Sequence, residues 1–217
     1  MKYELVIFDL DGTILDTLDD LADSTNVALQ MHGFPVRTRE EIRAFVGNGI
    51  LNLMQKAVPI GTTEEKVKEV LVDFKKYYGE HCADKTKPYE GIVELIWQLR
   101  NEGYQTAVVS NKADFAVQEL CKQYFAEMFD FIVGEREGVR KKPAPDSVNE
   151  VLKQLGVDKS EAIYVGDSEV DVETAKNAQM EHIIVTWGFR DKEYLLEKGA
   201  KEIVSTVQEL MNKFVCD

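Results

Sequence analysis

No apolar run in this chain is long. The first, Leu5-Val6-Ile7-Phe8, stops after four residues at Asp9. A signal-peptide core needs about 7–15 apolar residues and a membrane span about 20, so neither is expected and no membrane association is predicted. Cysteine is scarce. Cys82, Cys121 and Cys216 are odd in number and lack CxxC spacing, which points to reduced structural thiols in a cytoplasmic protein. Positive charge is in deficit: 26 lysines and arginines stand against 39 aspartates and glutamates, a net charge of -13. That balance disfavours nonspecific nucleic-acid binding and attraction to anionic membranes, so no nucleic-acid partner is expected. A phosphate-handling site would need local positive charge from a metal, a lysine or main-chain N–H groups. Internal repeats and low-complexity segments are absent. What remains is an ordinary globular composition, 44% hydrophobic and 30% charged over 217 residues, enough for one large domain or a core with a smaller companion.

The stretch that organises the chain is Phe8-Asp9-Leu10-Asp11-Gly12-Thr13. Leu5 to Phe8 read as a strand buried on both faces, as in a parallel sheet. Asp9 and Asp11 are two apart and point to the same side if the extended backbone persists. Two such carboxylates repel unless a divalent cation, a lysine or a shared proton offsets them. Gly12 permits a tight turn. Ligands of open α/β sheets collect at the carboxyl ends of strands, so a metal-assisted catalytic site is one reading of these six residues. An Asp-Gly turn with solvated carboxylates is the other.

Beyond Thr13 the periodicity becomes helical. Leu18, Leu21, Ala22, Thr25, Ala28 and Leu29 share a face, and Thr17-Leu18-Asp19-Asp20 resembles a capping box. Helix starts also stand at Thr38-Arg39-Glu40-Glu41 and at Thr62-Thr63-Glu64-Glu65, the latter with Val67, Val70, Leu71, Phe74 and Tyr77 on one face. No convincing strand lies between Asp16 and Lys85. The expected organisation is a core of 1–15 and 86–217 with an all-helical insert at 16–85, a lid that would exclude water and select substrates. From Pro88 onward helices alternate with β-rich runs at Gln105–Ser110, Phe131–Gly134, Ala162–Val165 and His182–Val185. The helix faces are Ile92-Leu95-Ile96-Leu99, Phe115-Val117-Leu120-Cys121 and Val148-Val151-Leu152-Leu155, then a helix from Val170 to Ala178 and a last one from Thr206 to Phe214. The pattern predicts an α/β fold with a doubly wound parallel sheet.

Three strands end in polar groups: Asp9 with Asp11, Ser110 with Asn111, and Gly166 with Asp167, which Asp171 follows by four residues. Lys141-Lys142-Pro143 lies between the last two. Taken singly, Ser110-Asn111 reads as a helix N-cap, Lys142 as a solvated lysine and Asp167 as a cap. Gathered at one sheet edge they supply what phosphoryl transfer needs: a nucleophile, a second carboxyl, phosphate-binding donors, a cation and acidic metal ligands.

FDLDGTILDT, Ser110, Lys142 before Pro143, and GDSEVD (Gly166 to Asp171) resemble, in order, the four motifs of the haloacid dehalogenase superfamily. The likeness spans the whole chain. It implies a Rossmann-like core with a small α-helical cap. Within the superfamily, Asp16–Leu21, Phe45–Gly49 and Trp187-Gly188-Phe189 are similar to phosphoglycolate phosphatases. Gln179 departs from the pattern, standing where such relatives carry glycine. The resemblance implies that Asp9 attacks phosphorus and that Asp11 works as acid and then base. It implies Mg2+ on Asp9, Asp167 and the main-chain carbonyl of Asp11, with Asp171 orienting the metal shell. Gly12, Thr13, Ser110, Asn111 and Lys142 would bind the phosphoryl group of a small phosphorylated metabolite. Such a protein would work as a monomer or homodimer.

Asp11 argues against a dehalogenase, which attacks carbon and has no use for an acid there. A β-phosphoglucomutase-like mutase, a pyrophosphatase or a nucleotidase would share the same core. A phospho-accepting receiver module uses similar groups but no helical insert. In the cap, Arg43 and the N–H groups at Asn48 and Gly49 are candidates for an acidic substrate, against the simpler account of a loop and a solvated face.

Overall fold

The structure is a computed structural model and describes residues 2–214. Cys216 lies outside the described residues. The chain separates into two compact units, one formed by Met1–Leu15 with Pro88–Asp217 and the other by Asp16–Lys87.

The first unit is built on β1 (Leu5–Phe8), four residues buried without exception. With β2 (Leu15–Asp16) and β3 (Lys87–Pro88) as two-residue strands where the chain passes between units, the remaining strands are β4 (Gln105–Ala113), β5 (Phe131–Glu135), β6 (Ala162–Gly166), β7 (Glu181–Val185) and β8 (Ile203–Val204). Six of them form one sheet in the order β5-β4-β1-β6-β7-β8. Every described pairing in it is parallel. β1 sits in the middle, which explains its unbroken apolar sequence: both faces and both edges are covered. Leu5, Ile7, Ala107, Val109 and Tyr164 pack with Val148, Val151 and Ala175 from the covering helices. The result is the doubly wound α/β architecture that the alternating pattern predicts.

With α1 to α4 reserved for the second unit, the helices of the first are α5 (Ile92–Asn101), α6 (Asp114–Phe125), α7 (Asp146–Leu155), α8 (Glu169–Ala178), α9 (Lys192–Glu197) and α10 (Val207–Met211). Ile92, Leu95, Ile96 and Leu99 are fully buried, as their spacing requires. Phe115, by contrast, is 64% exposed at the start of α6, so the inward face there begins at Ala116. The last helix is shorter than its periodicity suggests, Val207–Met211. At the end of α8, Gln179 takes the left-handed conformation (φ 58) and caps the helix with its N–H. The helix-ending turn forms without glycine, at a strain of roughly 1–2 kcal/mol for a residue with a Cβ.

The second unit is all helical apart from the strand ends at its boundaries: α1 (Leu18–Met31), α2 (Arg39–Phe45), α3 (Ile50–Ala57) and α4 (Glu64–His81). α2 opens with a true capping box between Thr38 and Glu41. α4 is capped by Thr63, whose hydroxyl accepts from the Lys66 N–H. The capping box expected at Thr17 does not form. The Asp20 carboxylate that would complete it is buried and instead accepts the N–H groups of Lys85 (3.0 Å to each oxygen) and Thr86 (2.8 Å). A long-range demand for a charged acceptor outcompetes the local cap. On α4 the buried ring is Tyr78, stacked 5.2 Å from Phe74, rather than Tyr77. No helix among the described residues is long and apolar enough to cross a membrane.

Candidate active site

Phe8 is in register with Val108 of β4 and with Val165 of β6. Past this level β1 gives way to Asp9, β4 runs on through Ser110, and β6 ends just before Asp167, which brings the three to one edge although they are far apart in sequence. Asp9 is tied to β6 by its N–H, which donates to the Val165 carbonyl at 2.9 Å. The Leu10 N–H donates to Asp9 Oδ1 at 2.7 Å and orients the carboxylate.

Lys142 comes to this edge from the loop before α7. Its side chain is 3% exposed. Nζ lies 2.9 Å from Asp9 Oδ1, 2.8 Å from Asp171 Oδ1 and 3.0 Å from the Tyr164 hydroxyl. The Lys142 carbonyl accepts from Asn111 Nδ2 at 3.1 Å, so β4 holds the loop. The β4 strand does not stop at Ser110 but continues through Asn111 and Lys112 to Ala113. Ser110-Asn111 is therefore strand, not a helix cap.

Asp167 is 1% exposed and closely held. The Phe189 N–H donates to Oδ2 at 2.7 Å and the Thr13 hydroxyl to Oδ1 at 3.3 Å. Gly12 adopts φ 82, and a Cβ there or on Gly188 would overlap the Asp167 carboxylate. Both glycines are dictated by this close approach. The Trp187 indole N–H donates to the Thr13 carbonyl at 3.0 Å, so Trp187-Gly188-Phe189 wraps the turn after β1. Ser168, not Asp167, caps α8, in a capping box with Asp171. Asp171 Oδ2 accepts from the Ser168 hydroxyl at 2.6 Å, and from the N–H groups of Ser168 at 3.1 Å and Asp167 at 3.2 Å.

The electrostatics follow from burial and proximity. Asp9 is pushed up to about 7, first by burial and then by Asp171 and Asp11, against the pull of Lys142. Burial, Asp171 and Asp9 raise Asp167 well above the carboxylate range. Burial would raise Asp171 too, but Lys142 and the Ser168 donors outweigh it and hold it low. Burial opposes the charge on Lys142, yet Asp171 and Asp9 keep it firmly protonated. The Cys121 thiol is pushed to about 12, chiefly by burial, and Cys82 and Cys121 are both buried and unbridged. They are poor nucleophiles, as expected of structural thiols.

Each of the nine residues picked out by motif has a definite place. Asp9, Asp11, Gly12 and Thr13 lie at the end of β1. Ser110 and Asn111 lie on β4, Lys142 on the loop before α7, Asp167 on the turn before α8, and Asp171 in its first helical turn. Two participants were not anticipated. Tyr164 is fully buried in β6 and its hydroxyl meets Lys142 and Asp171. A tyrosine in a strand buried on both faces needs a polar partner, and that was the available clue. Lys112 reaches Asp11 Oδ1 at 2.8 Å. Its only signal was a lysine following the polar strand end.

A carboxylate, a buried ammonium and a second carboxylate two residues on can bind an anion and pass protons. The comparisons agree with that chemistry. The family model for haloacid dehalogenase-like hydrolases matches residues 6–185. An N-acetylmuramic acid 6-phosphate phosphatase from Pseudomonas aeruginosa is 30% identical, covering 100% of this chain and 98% of its own. A phosphoglycolate phosphatase from Aquifex aeolicus is 32% identical over 85% of each chain. A crystal structure of a candidate phosphoglycolate phosphatase from Lactobacillus delbrueckii subsp. bulgaricus superposes with a TM-score of 0.95 at 40% identity, covering 100% of both chains. The chain belongs to the haloacid dehalogenase-like hydrolase family.

Proposed function

We propose that the chain is a Mg2+-dependent phosphatase of small phosphomonoesters, with 2-phosphoglycolate as the preferred substrate, working through an aspartyl-phosphate on Asp9. As a phosphoric monoester hydrolase it needs a way to bring one anion against another. The observation that carries the reading is the Lys142 ammonium, buried and shared between Asp9 at 2.9 Å and Asp171 at 2.8 Å.

Lys142 would bind the transferring phosphoryl group together with the Ser110 hydroxyl and the main chain at Asn111, Gly12 and Thr13. Asp9 attacks phosphorus. Asp11 gives a proton to the leaving alcohol and then takes one from the water that cleaves the intermediate. Asp171 holds Lys142 and the Asp167 turn in place.

The residues fit a divalent cation. Asp9, Asp167 and Asp171 each offer a carboxylate oxygen within 4.8 Å of one another. With Lys112 taken up by Asp11, the three buried carboxylates have the Lys142 ammonium to share, and two of them are pushed upward, an imbalance that a cation corrects. Asp9, Asp167 and the main-chain carbonyl of Asp11 would hold Mg2+, with Asp171 behind them, its Oδ1 taken by the Lys142 ammonium and its Oδ2 by the donors of Ser168 and Asp167. When bound, the ion supplies charge neutralisation at the nucleophile and the phosphate.

This imbalance sets a pH dependence. With Asp9 moved from its ordinary 3.8 to about 7, the folded state holds more protons than the unfolded state in that window. Stability of the metal-free protein should therefore fall as pH rises from about 4 to about 7. Mg2+ favours the ionised carboxylates and should flatten that slope. At a hundred times its Kd the ion adds about 2.7 kcal/mol, or about 5–10 °C in Tm for a chain of this size. Thermal unfolding by circular dichroism between pH 5 and 8, with EDTA or with Mg2+, checks both. A Tm indifferent to Mg2+ at pH 8 would contradict the metal assignment.

The relatives' names denote phosphate esters of two carboxylic acids, which supports an acid phosphate as substrate. The test is kcat/KM with Mg2+ for 2-phosphoglycolate, N-acetylmuramic acid 6-phosphate, β-glucose 1-phosphate and pyrophosphate. The first is expected to lead by about tenfold, the scale of one or two discriminating contacts. Leadership by N-acetylmuramic acid 6-phosphate, favoured by the full-length likeness to that phosphatase, would move the substrate and keep the reaction. Leadership by β-glucose 1-phosphate or pyrophosphate would overturn the substrate class.

A further inference from the structure

Lys112 stands inside the site with no part in the chemistry described so far. It is the second-last residue of β4, on the strand next to β1. Its side chain is 3% exposed, and Nζ donates to Asp11 Oδ1 at 2.8 Å. The Asp11 side chain is 21% exposed, so the pair joins a buried cation to a carboxylate that solvent and substrate can reach.

The lysine is firmly mounted. Its N–H donates to Ser110 Oγ at 3.2 Å, which links it to a residue of the phosphate-binding set. Its carbonyl packs against Gly134 of β5 so closely that a Cβ there would overlap it. Burying a lysine is costly, and an apolar residue would fill the same space without that cost. A charge-assisted bond to one carboxylate oxygen fixes the plane of the group and decides which oxygen is left for other work.

We propose that Lys112 is a positioning residue that holds Asp11 by Oδ1, so that Oδ2 exchanges protons with the leaving alcohol and with the attacking water. The inference rests on the phosphatase reading above. In the first half-reaction the Asp9 oxygen–phosphorus bond forms as the ester oxygen–phosphorus bond breaks, and the proton on Asp11 Oδ2 passes to the departing alkoxide. In the second, the water oxygen bonds to phosphorus and its proton passes to Asp11 Oδ2. The bond from Asp9 to phosphorus breaks, releasing inorganic phosphate and the Asp9 carboxylate.

p-Nitrophenyl phosphate separates the halves, because nitrophenolate leaves without needing a proton. Stopped-flow measurements with Mg2+ on the full chain would compare wild type, Lys112→Met, Lys112→Arg, Asp11→Asn and the Asp11→Asn/Lys112→Met double variant. Lys112→Met should keep a burst of about one nitrophenolate per site but slow the following steady rate by about 10–100-fold, part of what a positioned acid–base group contributes. KM should change little. Lys112→Arg should recover most of the rate. In the Asp11→Asn background, Lys112→Met should cost no more than about twofold further, since it acts through the group already removed. A steady rate for Lys112→Met equal to wild type would overturn the proposal. So would an equal loss in the wild-type and Asp11→Asn backgrounds. If Lys112→Met does not fold, Lys112→Gln takes its place in the same cycle. Wild type that releases no nitrophenolate would overturn both this inference and the phosphatase reading. Turnover by wild type with unimpaired Lys112 variants would overturn this inference alone.

Discussion

Asp9→Asn is expected to abolish turnover, by about 10⁴-fold or more, while the chain stays folded. Asparagine has the shape of aspartate but no oxygen able to carry a phosphoryl group. The amide carbonyl can still accept the Leu10 N–H that binds Asp9 Oδ1 at 2.7 Å. Electrostatically the change is mild. Asp9 is 8% exposed and pushed up to about 7 by burial and by Asp171 and Asp11. A neutral side chain therefore removes repulsion, and Lys142 keeps Asp171 as its partner at 2.8 Å. At pH 8 the variant should melt at or above the wild-type temperature when no metal is added. Acid-quenched enzyme should carry no phosphate. Steady-state kinetics, calorimetry and phosphoenzyme trapping check the three expectations. A variant with more than about a hundredth of wild-type kcat would exclude Asp9 as the nucleophile.

Lys142→Met should damage both activity and stability. Methionine replaces the stem but not the charge, leaving Asp9 and Asp171 buried beside each other. Removing one member of a buried ion pair costs about 3–5 kcal/mol, which for a chain of this length lowers Tm by about 6–20 °C. Turnover should fall by about 10³-fold, because a donor aimed at developing charge is lost. The deficit should carry a pH signature. As pH drops, the stranded carboxylates take up protons, the repulsion fades, and the gap to wild type narrows. Thermal melts at pH 5 and pH 8 check the sign. A gap that is the same at both would mean that Lys142 contributes packing rather than charge.

How much of this was legible in the sequence depends on the range of the forces involved. β1 and its acidic end were legible because an apolar run that halts at two carboxylates is a local contradiction, resolved only at a site. The sheet could be anticipated because alternating elements leave few ways to connect strands. Capping was mixed. Thr38 and Glu41 satisfy each other locally, whereas Asp20 answers to Lys85 and Thr86, which no nearby pattern announces. The end of β4 was misjudged because Ser110-Asn111-Lys112 looks like a polar loop. The ladder with β5 shifts register after Val109 and resumes at Ala113 opposite Glu135, and in the irregular stretch between them Asn111 and Lys112 reach Lys142 and Asp11. Tyr164 and Lys112 were missed because their importance lies in contacts across the sheet edge. β8 has only two residues, too few to show a period.

The Asp20 carboxylate closes a separation of 65 residues onto the beginning of α1. Both ends of the second unit are thereby fastened to each other from inside that unit. The bond joins residues of that unit alone. The strand order β5-β4-β1-β6-β7-β8 draws nothing from that stretch. The segment thus stands as a parenthesis in the polypeptide, closed by contacts of its own.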